Sequence, residues 1–360
     1  MVDETRTAKV TGSGGGTMSS LLRPVGLGGL ALPNRVVMAP VTRARAGNAD
    51  LAPTGWHAAY YGQRAAAGLI VTEGAWVSAG AIGFVDVPGA FDAAQVEGWR
   101  RVTGVVHALG GRIVLQLWHA GAASHPDHLG GARPAGPSEV NPGLTSFTRE
   151  GPKPTPTPRA MTGAEVAGAV AEFHAASVNA RRAGFDGVEV HALGPSLVAQ
   201  FLDPRLNLRT DAYGVHRARL LLEVVAAAAE PWGGAGVRLE AGPDTEDLVG
   251  ELAGHPVSYL HLRGPDPVPG GRPDVGLFAR HRRRFGGPLI ANNGFDRCSG
   301  EAVVGAGAAD AVSFARHFIA NPDLVARFAL GRDPAPGDPA TYYGGGVAGY
   351  LDYPVLAWEA

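Results

Sequence analysis

Several side chains able to bind a ligand stand at or just after the ends of short β-branched runs in this sequence. Gln116, His191 and Arg238 each lie at the end of one run, and Asn293 and Arg316 follow two later ones. A histidine ring and a glutamine amide can hydrogen-bond to oxygen atoms, and an arginine carries a fixed positive charge that binds anions. Their recurrence at the ends of runs predicts one polar site for a small molecule.

The elements that would position these side chains follow from the pattern of the runs. Eight short apolar runs alternate with longer helical patterns, which predicts βα units and a parallel sheet. Eight units in 360 residues favour a (β/α)₈ TIM barrel, an α/β fold, as a single domain over residues 21–360. The predicted strands are 35–39, 69–73, 112–117, 187–190, 236–240, 258–262, 288–292 and 310–314. The predicted helices include 55–67, 93–108, 164–183, 217–229 and 274–284.

The barrel interpretation gathers the polar side chains on one face. Active sites of this fold lie at the C-terminal ends of the strands. The stretch 120–159, rich in proline and glycine, would be a long loop after the third strand and a lid over that face. No Gly-x-Gly-x-x-Gly motif lies between an early predicted strand and the helix that follows it, so the sequence does not support a dinucleotide-binding fold of the Rossmann type.

The loops after the last two predicted strands favour an anion site. One loop contains Asn293 and Gly294, and the other contains Ala315 and Arg316. Loop amides there can donate to phosphate oxygens, and the Arg316 guanidinium adds a charged donor.

Composition excludes several other classes of protein. The net charge is −2, which gives no support for binding to nucleic acid or to a membrane surface. No apolar run reaches membrane-spanning length, and residues 1–20 are expected to form a disordered leader. Cys298 is the single cysteine, which fits a reducing, cytoplasmic location, and the histidines lack the spacing of metal ligands. No metal site is expected.

Longer motifs add a family resemblance. The segments MAPVTR, LQLWHAG, QFLDP, NLRTD and FIANPDL occur in that order between residues 38 and 324. The pattern resembles the old yellow enzyme family of FMN-dependent oxidoreductases, over nearly the whole chain. The resemblance implies an FMN cofactor, NAD(P)H as the reductant and a small-molecule substrate.

The resemblance also assigns residues to the cofactor. It implies that Gln116, Arg238 and Thr42 hydrogen-bond the flavin ring, and that Pro40 and Gly74 approach the ring by their backbone. The phosphate would be held by four residues of the last two loops: Asn293, Gly294, Ala315 and Arg316. Asn293 and Ala315 replace family glycines. These changes matter only if the backbone there needs a positive φ, which alanine tolerates poorly.

The active-site signature is only half present. His191 matches the first histidine of the family motif, but Gly194 stands where the family has a second His or Asn, and Ser196 stands where it has Tyr. His191 is therefore the predicted catalytic donor to a substrate oxygen. Gly194 and Ser196 are assigned to the substrate pocket, with a helix-start role as the alternative for Ser196.

Two aromatic residues complete the predicted site. Tyr350, in the tail motif Gly-Tyr-x-Asp-Tyr-Pro, is predicted to supply the missing catalytic hydroxyl. Trp118, which closely follows Gln116, is predicted to wall the substrate pocket.

The leading functional hypothesis is reduction of a C=C bond conjugated to a carbonyl. One alternative is FMN-dependent oxidation, aromatisation or double-bond isomerisation, in which the missing donors carry no penalty. A second alternative is a flavoprotein that has lost catalysis. The substrate, the preference for NADH or NADPH and the oligomeric state are left open.

Overall fold

A closed barrel of eight parallel strands forms the centre of the molecule. The structure, a computed structural model, describes residues 19–268 and 271–356. The barrel strands are β1 (Val36–Met38), β2 (Leu69–Trp76), β3 (Ile113–Trp118), β4 (Val188–His191), β5 (Ala235–Glu240), β6 (Val257–Arg263), β7 (Leu289–Asn292) and β8 (Ala311–Phe314). Each strand pairs with its neighbours in sequence, and β8 pairs with β1. The predicted fold class and all eight predicted strands are confirmed.

Helices surround the barrel. They are α1 (Gly55–Gly62), α2 (Ala93–Ala108), α3 (Gly163–Arg182), α4 (Leu197–Leu202), α5 (Ala212–Val215), α6 (Arg219–Ala229), α7 (Glu246–Leu252), α8 (Val275–Phe285), α9 (Arg297–Gly305), α10 (Arg316–Ala320) and α11 (Leu324–Ala329). The five predicted helices correspond to α1, α2, α3, α6 and α8. The first of them is shorter than predicted because the chain leaves the helix after Gly62.

Local sequence sets several helix starts. Asp92 accepts from the amide of Ala94, and the side chain of Gln95 reaches back to the amide of Asp92, so α2 begins with a capping box. Thr162 and Glu165 form the same arrangement at the start of α3. Such caps satisfy amides that the first helical turn leaves without partners.

A short hairpin packs against the apolar lower part of the barrel interior. Its strands, Val25–Leu27 and Leu30–Leu32, pair antiparallel through the turn Gly28-Gly29, where both residues have positive φ. Leu27 and Leu32 pack with buried strand residues such as Val71 and Ile290. The predicted leader, residues 1–20, lies outside the described residues except for Ser19 and Ser20. Ser20 already begins a short 3-10 helix.

The long loop after β3 lies beside the C-terminal ends of the strands. It contains an antiparallel hairpin, Thr145–Thr148 with Gly151–Pro154. On this hairpin, Phe147 stacks on Phe84 from the loop after β2, with 4.9 Å between ring centroids. Within the described part of the chain, none of the helices combines the length and the hydropathy needed to cross a membrane.

Candidate active site

Two cavities adjoin at the C-terminal ends of the strands. The first has a volume of about 360 Å³ and includes seven predicted site residues in its lining: Pro40, Thr42, Gly74, Gln116, Trp118, His191 and Arg238. The second has a volume of about 460 Å³ and is lined by Arg238, Asn293, Gly294, Ala315 and Arg316 among others. Arg238 and Arg263 line both cavities, so the two form one elongated site.

His191 lies on the wall of the first cavity. Its ring stacks on the Trp118 indole, with 5.4 Å between centroids and 18° between planes. Burial, reinforced by the positive charge of Arg238, lowers the pKa of His191 to about 3. The imidazole is therefore neutral at physiological pH, and one ring nitrogen carries a proton that can be donated to a ligand oxygen.

Trp118 is held by stacking and by a hydrogen bond at its edge. Its indole stacks on buried Trp76 at 4.3 Å, and Nε1 donates to the carbonyl oxygen of Pro195 at 3.2 Å. Gly74 allows this packing, because a Cβ there would lie 2.8 Å from Cε3 of Trp118. The result is a flat, rigid aromatic wall. Trp76 lies behind it in the core and does not line the cavity.

Gln116 and Arg238 present polar groups from the floor of the site. Nε2 of Gln116 donates to Oε1 of Glu189 at 2.8 Å. The Arg238 guanidinium donates from Nη2 to Asn292 at 2.9 Å and from Nη1 to Nε2 of His261 at 2.7 Å. Both side chains are buried. Their orientations are therefore set before any ligand binds.

The second cavity has the features of an anion site. Asn293 and Gly294 have φ values of 85° and 74°. The amides of Asn293, Gly294 and Ala315 donate no hydrogen bond within the described residues. Free amides beside the Arg316 side chain can bind the oxygens of a phosphate.

The two glycine replacements have different consequences in the structure. Asn293 does occupy the left-handed region, which asparagine tolerates better than most residues, and its side chain donates to the carbonyl oxygen of Gly264 at 2.9 Å. Ala315 has φ −93° and needs no glycine. Neither replacement disturbs the loop.

Comparison with known proteins identifies the family. The family model for NADH:flavin oxidoreductases and NADH oxidases matches residues 20–247. The chain belongs to this family. A probable flavin mononucleotide-dependent alkene reductase of Leishmania infantum is 38% identical over 93% of this chain and 97% of its own length. The 12-oxophytodienoate reductase 1 of Oryza sativa subsp. japonica is 35% identical over 93% of each chain.

Solved structures agree with this assignment. Morphinone reductase in complex with tetrahydroNAD has a TM-score of 0.88 and 42% identity, and the match covers 94% of this chain and 98% of that one. The elongated site fits FMN, because one cavity offers a flat wall with amide and guanidinium groups and the other offers unpaired amides with an arginine. The protein is an FMN-dependent oxidoreductase of the old yellow enzyme type.

Gly194, which stands where the family has its second donor, lies outside the predicted pocket. Gly194 has φ 54° and does not line the cavity that contains His191. It lines a neighbouring groove of about 450 Å³, and Leu193 lines both spaces. A Cβ at Gly194 would meet no atom within 4 Å, so the missing side chain leaves open space.

Ser196 is not a pocket residue, which corrects that prediction. Its side chain is fully buried, and its Oγ accepts from the amide of Ala199 at 3.2 Å. Ser196 is thus the N-cap of α4, the alternative role considered from the sequence.

The predicted role of Tyr350 is also corrected. Tyr350 is fully buried and stacks on Tyr60 at 4.3 Å, with the Arg45 guanidinium 4.5 Å from its ring centroid. It does not line the cavity of His191. The tail folds back against α1, so this hydroxyl points into the protein core.

Among the lining residues that were not predicted, four have large aromatic or charged side chains: Phe84, Phe147, Arg263 and Tyr343. Arg263 ends β6, and the strand-end rule that selected Arg238 would have found it with a boundary one residue later. The three aromatic residues come from irregular loops, where no periodicity marks them. Phe84 packs between Phe147 and Tyr343, and its ring centroid lies 5.8 Å from that of Tyr343.

The described residues contain no group of three or more His, Cys, Asp or Glu side chains arranged to hold a metal ion.

Proposed function

We propose that this enzyme transfers hydride from NAD(P)H, through FMN, to the β-carbon of a C=C bond conjugated to a carbonyl. The observation that carries the proposal is the neutral His191 beside the flat wall of Trp118, in the same cavity as Gln116 and Arg238. The named relatives support it, since they include an alkene reductase and a 12-oxophytodienoate reductase.

The side chains divide the work along the elongated site. Gln116, Arg238 and Thr42, with the backbone at Pro40 and Gly74, would hold the ring, and the loops at Asn293, Gly294, Ala315 and Arg316 would hold the phosphate. Bound FMN would supply the acceptance and donation of hydride. His191 would donate one hydrogen bond to the carbonyl oxygen and stabilise the charge that develops there.

The phosphate role can be tested with Arg316→Ala. The variant should bind FMN about ten- to a hundredfold more weakly, because a charge-assisted contact contributes roughly 1.5–3 kcal/mol. Riboflavin, which lacks the phosphate, should bind both proteins equally, as measured by quenching of flavin fluorescence. An equal loss of riboflavin affinity would show that the substitution damages the fold and not the phosphate contact.

The proton for the α-carbon requires a donor other than Tyr350. Tyr343 lines the cavity and is 58% exposed. We assign Tyr343 as the candidate donor. Tyr343→Phe should slow enone-dependent reoxidation about a hundredfold, since positioned acids contribute on the order of 10²–10⁴.

The control for that experiment is Tyr350→Phe. Because Tyr350 is buried in the core, its variant should reoxidise at the rate of the parent protein. Reduction of FMN by NAD(P)H should be unchanged in both variants. Equal reoxidation by Tyr343→Phe and the parent would assign proton delivery to water.

Oxidation or isomerisation of a specialised substrate is the second candidate, and Gly194 favours it. An enzyme of that kind needs no second donor to an enolate oxygen, so the missing side chain at Gly194 would carry no penalty.

Anaerobic stopped-flow mixing separates the two candidates. The reductase requires that NAD(P)H-reduced protein regains its flavin absorbance when mixed with 2-cyclohexenone. Oxidation requires that oxidised protein is bleached by a saturated ketone, whereas isomerisation would convert its substrate without a net change in flavin absorbance. Bleaching without any enone-dependent recovery would overturn the first proposal.

We also propose a cytoplasmic location, which the single cysteine supports.

A further inference from the structure

A buried acidic residue lies directly beneath the candidate ring site. Glu189 on β4 and His261 on β6 are both fully buried in the barrel, and Nδ1 of His261 lies 2.8 Å from Oε2 of Glu189. Barrel interiors are usually filled by branched apolar side chains. Burying charged groups costs free energy that their mutual attraction often fails to offset. Stability alone therefore gives no reason for this pair.

The hydrogen bonds fix the protonation of the pair. Oxygens of Glu189 accept from Gln116 Nε2 at 2.8 Å and from the Tyr259 hydroxyl at 3.2 Å, as well as from His261. Three donors surround one carboxylate, which is the arrangement of an ionised acid. Burial tends to raise the pKa of Glu189, but the hydrogen bonds from His261 and Gln116 and the positive charge of Arg238 outweigh it and lower that pKa.

His261 is a neutral link in this chain of contacts. Since Nδ1 donates to Glu189, the opposite nitrogen, Nε2, is an acceptor. The Ser313 hydroxyl lies 2.7 Å from Nε2. Nη1 of Arg238 lies 2.7 Å from Nε2 and 3.1 Å from Nδ1, so the guanidinium is in contact with the ring. A protonated ring would place a second positive charge against the guanidinium. Burial and the charge of Arg238 lower the pKa of His261, in agreement with the neutral form.

The pair therefore contacts both side chains assigned to the flavin ring. Glu189 holds Gln116 directly and holds Arg238 through His261. It also places one negative charge beside the positive charge of Arg238, where the low dielectric strengthens its effect. A positive charge near the ring favours the reduced, anionic flavin, and a negative charge opposes it.

We infer that Glu189 and His261 are positioning residues that orient Gln116 and Arg238, and that the charge of Glu189 lowers the reduction potential of bound FMN. This inference rests on the proposed placement of the ring at Gln116 and Arg238. It concerns the cofactor's potential and is independent of which substrate the enzyme reduces.

The test is the FMN midpoint potential at pH 8, measured by anaerobic equilibration with a reference dye. Glu189→Gln keeps the shape and removes the charge, so the reduced-to-oxidised ratio at a fixed potential should rise about tenfold, or about 30 mV for two electrons. Glu189→Asp keeps the charge and alters the packing, and its ratio should stay within about twofold of the parent value. Equal shifts in the two variants, or no shift in Glu189→Gln, would overturn the inference.

If Glu189→Gln does not fold, Tyr259→Phe tests the same effect of the Glu189 charge on the FMN potential. Tyr259→Phe removes one donor from the carboxylate and leaves its charge less neutralised. The reduced-to-oxidised ratio should therefore fall, by about threefold, which is the opposite sign to Glu189→Gln. A rise or no change would contradict the role of the Glu189 charge.

Gln116→Ala separates this inference from the placement of the ring. If Gln116→Ala weakens FMN binding and Glu189→Gln leaves the potential unchanged, only the role of the pair fails. If Gln116→Ala changes neither FMN affinity nor potential, the placement of the ring fails first.

Discussion

Replacing His191 by alanine is expected to lower enone reduction by at least 10²–10³-fold, the order of magnitude lost when one oxyanion donor is removed. His191 is the only donor that the family motif retains here, because Gly194 has no side chain and lies outside the cavity. The rate of enone-dependent reoxidation is the quantity to measure. Reduction of FMN by NAD(P)H reports separately on the cofactor site.

Phenols give a second measurement on the same variant. A phenolate oxygen mimics an enolate and should accept from His191, with its ring over the flavin, which produces a long-wavelength absorbance band. The band should be absent in His191→Ala. His174→Ala is the matched control, since His174 lies at the surface beside Glu230. Normal turnover and a normal band in His191→Ala would show that another group performs this function.

Because the pKa of His191 is lowered to about 3, its protonation does not change between pH 5 and 8. The donor function should therefore be independent of pH over that range.

Glu73→Gln is expected to remove a large pH dependence of stability. Glu73 on β2 is buried, and its Oε2 accepts from the amides of Arg43 and Ala44, the residues that follow Thr42. Its Oε1 has no hydrogen-bond partner, and Nε2 of His57 lies 4.0 Å away. Burial raises the pKa of Glu73 from 4.5 to about 7, against the effect of the two amides and of Arg43 and Arg45.

The direction of the effect follows from the proton balance. Between pH 4.5 and 7 the folded protein keeps the proton on Glu73 and the unfolded chain loses it. The free energy of unfolding therefore falls as the pH rises through that window, by about 3 kcal/mol in total. Below pH 4.5 the group is protonated in both states and contributes no pH dependence.

Urea unfolding at pH 5 and pH 8 measures this term. The free energy of unfolding of Glu73→Gln, taken relative to that of the parent protein, should be about 3 kcal/mol higher at pH 8 than at pH 5. Glu97→Gln, at an exposed pair with Arg100, should show no such shift. A difference that does not depend on pH would mean that the amides and arginines hold Glu73 ionised in the folded state.

The barrel and most of the ring site were accessible from the sequence. Strand runs and their polar ends are local signals, and the fold brings strand ends together at one face, so Gln116, His191 and Arg238 could be placed in one cavity before the structure was known. The glycine-to-asparagine change at Asn293 could be judged only from the structure, because the sequence does not give φ.

The aromatic residues of the tail show where sequence interpretation fails. Tyr343 and Tyr350 lie in one irregular segment, and each could have reached the substrate. The structure buries Tyr350 against Tyr60 and exposes Tyr343 at the cavity. Packing against α1 decides between them, and that contact is distant in sequence. The pocket assignment of Ser196 was wrong for a related reason. The hydroxyl that the motif assigned to the pocket caps α4 instead.

The most direct test of the proposed reaction follows the hydride. NAD(P)H carrying deuterium at the transferred position should be supplied with 2-cyclohexenone under anaerobic conditions, and the product should be analysed by NMR and mass spectrometry. The proposal predicts cyclohexanone with one deuterium at the β-carbon and a solvent-derived hydrogen at the α-carbon. Product without deuterium at the β-carbon, or recovered enone beside fully reduced flavin, would contradict it.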